Sequence, residues 1–123
     1  MTKCVLDVGN CPPDHAAIRD VIETNFDAEV IQAHRASDAL AILQERSIAL
    51  VLVNRKLDVD YSDGLAIVTQ IKAAPSLAGV PVMMVTNYED HQQRAVEAGA
   101  EHGFGKLSLA ASETLDRLRR FLN

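Results

Sequence analysis

Short apolar runs alternate with stretches of helical periodicity along the whole chain. The apolar runs predict five β-strands, at Lys3–Val8, Glu29–Ala33, Leu50–Val53, Val80–Val85 and Gly103–Gly105. The helical stretches cover about Asp14–Asn25, Ser37–Glu45, Asp63–Ala73, Asp90–Ala98 and Ala110–Leu122. Regular alternation of strand and helix is typical of a parallel sheet covered by helices.

The third and fourth strands are predicted to lie at the centre of the sheet. Leu50–Val53 and Val82–Val85 are apolar at every position, as expected of strands that are buried on both faces. Ser37 and Asp63 are the predicted N-caps of the second and third helices. The last helix carries a leucine stripe that we expect to face the sheet, formed by Leu115, Leu118 and Leu122.

Five strand-helix units with right-handed crossovers favour an α/β fold with one five-stranded parallel sheet. The predicted architecture is a flavodoxin-like, doubly wound (βα)5 sheet with strand order 2-1-3-4-5. The length suits a single domain spanning residues 1–123. Ligands of such sheets bind beyond the carboxyl ends of the strands. That edge is predicted to carry Gly9, Asn10, Asn54, Thr86 and Lys106.

Composition and charge narrow the classes of partner. Apolar residues make up 48% of the chain and charged residues 24%, which is the balance of a globular protein. A net charge of −5 does not favour attraction to DNA or to an anionic membrane. The chain shows neither a signal-peptide pattern nor an apolar segment approaching the ~20 residues of a spanning helix. We therefore expect a cytoplasmic protein without a nucleic-acid or membrane partner.

Three segments, in order and in register, resemble the receiver domain of two-component response regulators. Ala49–Leu65 is similar to the third strand, the acceptor loop and the Asp-Gly start of the third helix of that family. Gly79–Thr86 resembles its fourth strand, and Glu97–Ala100 followed by Lys106 resembles the approach to its lysine. The resemblance covers essentially the whole chain. It implies a signal-transduction module of the receiver fold that is not an enzyme.

The acidic residues of the family's site are missing from this sequence. In receivers, two acids after the first strand and an acceptor aspartate hold Mg²⁺, which makes phosphoryl transfer possible. The matching positions here are Gly9 and Asn10 for the pair and Asn54 for the acceptor. A register that places Asp7 and Val8 at the pair would restore one acid, but it would shorten the strand and lengthen the next loop. The nucleophile is absent from both registers, so we expect no catalytic residue. We also expect no Mg²⁺, because the carboxylates that would neutralise a divalent cation are missing.

What remains of the site is the part that contacts phosphate. Thr86 and Lys106 match the hydroxyl residue and the lysine that the family places on the phosphoryl oxygens. We expect Lys106 to lie beside Asn54 and Thr86 with helix N-termini nearby and no carboxylate, which predicts an anion-binding pocket. A carboxylate within reach of Lys106 would reopen the question of a metal. Asn54 itself is predicted to be a loop amide that hydrogen-bonds to neighbouring backbone. Gly103 and Leu107 stand where the family often has a switching aromatic residue and a proline.

The loop after the third strand, Asn54–Ser62, is about two residues longer than its counterpart in the family. It carries Asp58, Asp60 and the aromatic Tyr61. A solvated loop is one interpretation, because charged loops are common on protein surfaces. The other interpretation is a surface for a partner protein, with Tyr61 as its anchor.

Two functions from different classes follow from these residues. The favoured one is a phosphorylation-independent module that binds another signalling protein or a second copy of itself. The resemblance implies that its contact surface lies on the fourth helix, fifth strand and fifth helix, with Asp90, Arg94, Glu97, Arg117 and Arg120. The alternative is a functional phosphoreceiver of a phosphorelay, in which Asp7, Asp58 or another side chain replaces the missing carboxylates.

Overall fold

Five parallel strands form one sheet in the computed structural model of the protein, which describes residues 2–123. The strands are β1 (Lys3–Val8), β2 (Ala28–Ala33), β3 (Leu50–Asn54), β4 (Val82–Val85) and β5 (Glu101–Phe104). The helices are α1 (Pro12–Asn25), α2 (Ala36–Glu45), α3 (Gly64–Ala73), α4 (Glu89–Glu97) and α5 (Ser112–Leu122), with a 3₁₀ turn at Lys106–Ser108. The spatial order β2-β1-β3-β4-β5 is the predicted one. None of the helices within residues 2–123 has the length and apolarity needed to cross a membrane.

The sheet separates two apolar layers. Helices α2, α3 and α4 cover one face, and α1 and α5 cover the other. Successive residues of a strand point to opposite faces, so Val51 and Val53 of β3 enter one layer and Leu50 and Leu52 enter the other. All four side chains are fully buried. The absence of hydrophobic alternation in β3 is thereby explained, and the central position predicted for this strand is confirmed.

Of the two predicted helix caps, one is confirmed and one is wrong. The Oδ1 atom of Asp63 accepts a hydrogen bond of 2.9 Å from the backbone N–H of Leu65, which fixes the start of α3. Ser37 does not cap α2, because the helix begins one residue earlier at Ala36 and Arg35 is the N-cap residue. Ser37 therefore lies inside the first turn of α2.

Helix α5 starts two residues later than predicted, and its buried stripe is shifted. The 3₁₀ turn after β5 delays the start of the helix to Ser112. The buried positions are then Thr114, Leu118 and Leu122, which recur every four residues. Leu115 is only half-buried, so its predicted place in the sheet-facing stripe is wrong.

Strand β5 contains a bulge at Gly103. Met83 pairs with Glu101 and Val85 pairs with Phe104, so β5 contains one more residue than β4 between these two pairs. The buried side chain of Gln92 on α4 holds the bulge, because its Nε2 donates to the carbonyl of Met84 (2.9 Å) and its Oε1 accepts from the N–H of Gly103 (2.8 Å). A Cβ atom on residue 103 would lie 2.2 Å from the Met84 carbonyl oxygen. Only glycine fits there.

Candidate functional site

Asn54 ends β3 with its side-chain amide directed at two backbone carbonyl groups. Its Nδ2 donates hydrogen bonds to the carbonyl oxygens of Gly9 (3.2 Å) and Lys56 (2.8 Å). The predicted role as a loop amide is confirmed by these two bonds. A carboxylate at this position would offer only acceptor oxygens to the same two carbonyl oxygens, so the local geometry requires an N–H donor.

The residue that follows the carboxyl end of β1 is Gly9, which has no acidic side chain. Val8 pairs with Val53 of β3, which places Gly9 next to Asn54. This pairing agrees with the register that assigns Gly9 and Asn10 to the acidic positions. Gly9 has a φ of +77°, and a Cβ atom on it would lie 2.2 Å from Cδ2 of Leu57. A side chain at position 9 would therefore be both strained and crowded.

Asp7, the acid that the alternative register needs, is enclosed within the fold. It is fully buried in β1, where its Oδ1 accepts from Nδ2 of Asn10 and its Oδ2 lies 2.7 Å from Nδ1 of His15. Burial raises the pKa of this carboxyl group, against the smaller opposing effects of Asn10 and His15. Asp7 thus joins β1 to α1 beneath the site and has no exposed oxygen to offer a ligand.

The buried carboxyl group predicts a pH dependence of stability that Asp7→Asn removes. Because the pKa of Asp7 is raised on folding, the folded state binds its proton more tightly than the unfolded state does. Its stabilising contribution is complete below the ordinary value of about 3.9 and is lost as pH rises through the raised pKa. In urea unfolding between pH 4 and 7, the free energy of unfolding of D7N should rise relative to that of the wild type as pH rises. The relative gain should reach about 1 kcal/mol at pH 7. Parallel curves for the two proteins would contradict this, and D20N at an exposed position of α1 is the control.

Lys106 is paired with a carboxylate, contrary to expectation. Its Nζ lies 2.8 Å from Oδ2 of Asp14 in the first turn of α1, and about one third of each side chain is exposed. The pKa of Asp14 is lowered, first of all by the hydrogen bond from Lys106. The expectation of a lysine without a carboxylate was wrong because α1 starts at the same edge of the sheet as the site. An acid in the first turn of a helix that follows β1 was the signal that could have identified Asp14.

Thr86 is also engaged in local hydrogen bonds. Its Oγ1 accepts from the backbone N–H of Tyr88 (3.3 Å) and lies 3.3 Å from Nδ1 of His91. Only 8% of the residue is exposed. The two side chains predicted to contact an anion, Thr86 and Lys106, therefore already have partners within the protein.

One open cavity brings together three of the predicted site residues, Asn54, Thr86 and Lys106. It has a volume of about 180 Å³ and is lined by Asn54, Arg55, Lys56, Val85, Thr86, Asn87, Tyr88 and Lys106. Gly9 and Asn10 do not reach its lining, and Asn10 is fully buried. Arg55 and Lys56 were missed from the sequence, although two adjacent basic residues directly after Asn54 were a visible signal.

The residues at this edge do not fit Mg²⁺. The ion requires a nearly octahedral set of oxygen ligands with compensating negative charge. Here Asn54 presents N–H donors to the carbonyl oxygens, and Asp14 is bound to Lys106. Within residues 2–123, no three His, Cys, Asp or Glu side chains are grouped in a way that could hold a metal ion. The absence of Mg²⁺ from the working protein stays a prediction.

The turn after Lys106 depends on a backbone donor that proline lacks. The N–H of Leu107 donates to Oδ1 of Asn87 at 3.1 Å, which ties the 3₁₀ turn to the loop that follows β4. The side chain of Leu107 is 91% exposed. The N–H that leucine supplies at position 107 thus helps to hold the connection between β5 and α5.

The predicted contact surface divides into exposed and engaged side chains. Asp90, Arg94 and Glu97 are exposed on α4. Arg117 is half-buried, and its guanidinium donates to the carbonyl of Gly103 (3.0 Å) while pairing with Glu113. Arg120 is exposed and lies 3.8 Å from Glu101. Arg117 therefore has a structural role in holding β5 in addition to any contact with a partner.

Comparison with known proteins found one matching family and several solved structures of similar fold. The family described as "response regulator receiver domain" matches residues 12–117. No match was found among curated proteins. The signal receiver domain of the DNA-binding response regulator merR from Colwellia psychrerythraea is 25% identical, with a TM-score of 0.74 over 96% of this chain and 98% of its own.

Two further solved structures share the fold. The Mn²⁺-bound form of response regulator Rcp1 is 25% identical, with a TM-score of 0.68 over 96% of this chain and 87% of that protein. A response regulator from Thermotoga maritima is 22% identical, with a TM-score of 0.79 over 98% of both chains. The match at 22% identity is a likeness of fold alone.

Proposed function

The chain belongs to the response regulator receiver family, and from that premise we propose that it is a signalling module that binds protein independently of phosphorylation. The observation that carries the proposal is the amide of Asn54, whose N–H groups are bound to the carbonyls of Gly9 and Lys56. An amide is not a nucleophile for phosphoryl transfer, and these bonds give it a structural role instead.

The remaining groups of the site favour one fixed conformation. Lys106 is bound to Asp14, and Thr86 is bound to the backbone of Tyr88. Gly103 has no ring that could change position with the hydroxyl group of Thr86. A partner would then recognise a constant surface, for which the exposed Asp90, Arg94, Glu97 and Arg120 are the proposed contacts, whether that partner is another signalling protein or a second copy.

Intact-mass measurement after incubation with acetyl phosphate and Mg²⁺ tests the proposal. We expect no phosphoryl increment on the wild-type protein, because no free carboxylate stands at the acceptor position. A receiver domain with an intact acceptor aspartate, treated in parallel, is the positive control. An increment on any side chain of this protein would overturn the proposal.

One observation favours the alternative of a phosphoreceiver with a non-standard acceptor. Asp14 is a partly exposed carboxylate with its Oδ2 2.8 Å from Nζ of Lys106, so an acid and the site lysine do meet at this edge. Asp7 is fully buried, and Asp58 faces His34 at 3.8 Å. A phosphoryl increment that appears on the wild type and disappears in Asp14→Asn would establish this second function.

A further inference from the structure

A cluster of unpaired cations lies beside the cavity in a protein of net charge −5. The basic patch consists of Arg55, Lys56 and Arg94, and within residues 2–123 none of the three has a carboxylate oxygen within 4.0 Å. Arg55 and Lys56 line the cavity of about 180 Å³. Arg55 and Arg94 line an adjoining cavity of about 40 Å³, so the patch is continuous.

The acidic residues nearest in sequence are occupied elsewhere. The lining of the larger cavity contains no acidic residue. Asp60 accepts hydrogen bonds from the N–H and Oγ of Ser62. Asp63 lines the smaller cavity, but its carboxylate is committed to the cap of α3. Asp58, the remaining acid of the loop, lies 3.8 Å from Nδ1 of His34. No carboxylate of the loop therefore forms a direct ion pair with the basic patch.

Exposed aromatic side chains accompany the basic patch. Tyr88 lines the larger cavity and is 64% exposed. Tyr61 is 72% exposed, in the same loop as Arg55 and Lys56. Its backbone has a φ of +58°, which is unfavourable for a tyrosine, and its N–H is bound to the carbonyl of Leu57 at 2.9 Å. The loop thus holds a large side chain in solvent at a cost in conformational energy.

We propose that the basic patch and Tyr88 form a docking site for an acidic segment of a partner protein. Glutamate or aspartate side chains of the segment bind Arg55 and Lys56, and a neighbouring apolar side chain packs on the ring of Tyr88. The docking site rests on the proposed protein-binding function, and it adds that the partner carries acidic side chains. Tyrosine and arginine, both of which line this cavity, are among the side chains enriched at positions that contribute most to binding between proteins.

A segment of another protein fits these observations better than a second copy of this chain. Two copies carry −5 each, so their association is opposed by long-range repulsion. The two cations that line the larger cavity without a carboxylate partner, Arg55 and Lys56, are exposed, and an extended acidic segment can reach both at once. The exposed ring of Tyr88 offers contact area that a polypeptide uses and a bare anion does not.

Fluorescence anisotropy with two labelled peptides tests the docking site. The probe is a short fluorescein-labelled peptide in which glutamates flank a leucine and a phenylalanine, and the comparison peptide has lysine at every glutamate. We expect saturable binding of the acidic peptide alone, weakened by added salt. R55E/K56E should bind about tenfold or more weakly, because both contacts become repulsive. R55Q/K56Q, which removes the charges without adding acids, should lie between the two.

The control variant makes the same change in charge at the opposite edge of the sheet. R46E/R119E replaces two exposed arginines, one beside Glu29 and one beside Asp116, and should bind the acidic peptide as the wild type does. Equal affinity of the wild type and R55E/K56E would overturn the docking site. So would displacement of the peptide by sulfate beyond the effect of chloride at equal ionic strength, because the occupant would then be a free anion.

Two other outcomes separate the inference from its premise. A dimer of the protein alone in sedimentation velocity, lost in R55E/K56E, would make a second copy the occupant and overturn the inference while leaving a phosphorylation-independent module in place. Phosphorylation of the wild type by acetyl phosphate would overturn the proposed function, whereas the peptide measurement is made without a phosphodonor and retains its result.

Discussion

Replacing Gly103 with alanine is expected to lower the free energy of unfolding by about 3 kcal/mol. The added Cβ atom would lie 2.2 Å from the carbonyl oxygen of Met84 and 3.2 Å from Cβ of Met83. Both neighbours belong to β4 in the middle of the core, and a backbone oxygen cannot rotate away as the end of a side chain can. Strands β4 and β5 would have to move apart.

The cost of this movement includes several hydrogen bonds at the bulge. Gln92 bonds to the carbonyl of Met84 and to the N–H of Gly103, and Arg117 bonds to the carbonyl of Gly103. Gln92 is 2% exposed, so each bond it loses leaves a buried polar group without a partner.

Chemical denaturation of G103A and of a matched glycine variant measures the effect. Gly79 is exposed and has no atom within 4 Å of an added Cβ, so G79A should change stability by no more than about 0.5 kcal/mol. If G103A were as stable as G79A, the close approach of β4 and β5 at the bulge would be wrong. Phenylalanine at position 103 should be at least as destabilising as alanine, so the family's aromatic position cannot simply be refilled in this backbone.

The fold could be predicted from the sequence because the secondary structure of its central strands is unambiguous. Leu50–Val53 is too short for a helix and apolar throughout, which favours a strand covered on both faces. Element ends were less predictable, because they depend on local hydrogen bonds. Ser37 has the chemistry of a cap, yet α2 starts before it. The bulge at Gly103 depends on a hydrogen bond from its N–H to the side chain of Gln92. The hydrophobic periodicity of the sequence does not predict such a contact between two elements.

The features of the site that could be predicted from the sequence are those that depend only on residue type. An amide in a loop after a buried strand favours hydrogen bonds to neighbouring backbone, and the structure contains two of them. The pairing of Lys106 with Asp14 could not be derived from residue type, because it requires the distance between the start of α1 and the end of β5. The same is true of the cavity that brings Arg55 and Lys56 beside Thr86.

Restoring an aspartate at position 54 is expected neither to restore phosphorylation nor to leave stability unchanged. Asn54→Asp replaces the Nδ2 amino group, which donates both hydrogen bonds, by one carboxylate oxygen that faces the carbonyls of Gly9 and Lys56. Loss of these bonds and the new repulsion should lower the free energy of unfolding by about 1 to 2 kcal/mol. Acetyl phosphate with Mg²⁺ should give no phosphoryl increment, because position 9 has a left-handed backbone without a side chain and Lys106 already binds Asp14.

Two control variants separate the lost donor from the added charge. N54A removes the donor and leaves the two carbonyl groups open to water, so its stability should fall between the wild type and N54D. N123D adds the same charge at an exposed position and should be close to the wild type.

Mg²⁺ is the decisive addition, because a carboxylate and two carbonyl oxygens converging at position 54 are the beginning of an oxygen site for this ion. We expect Mg²⁺ to leave the unfolding of N54D unchanged, since one carboxylate is too little charge to hold it. Stabilisation of N54D by Mg²⁺, or a phosphoryl group on its Asp side chain, would show that a single substitution had inactivated an otherwise competent site.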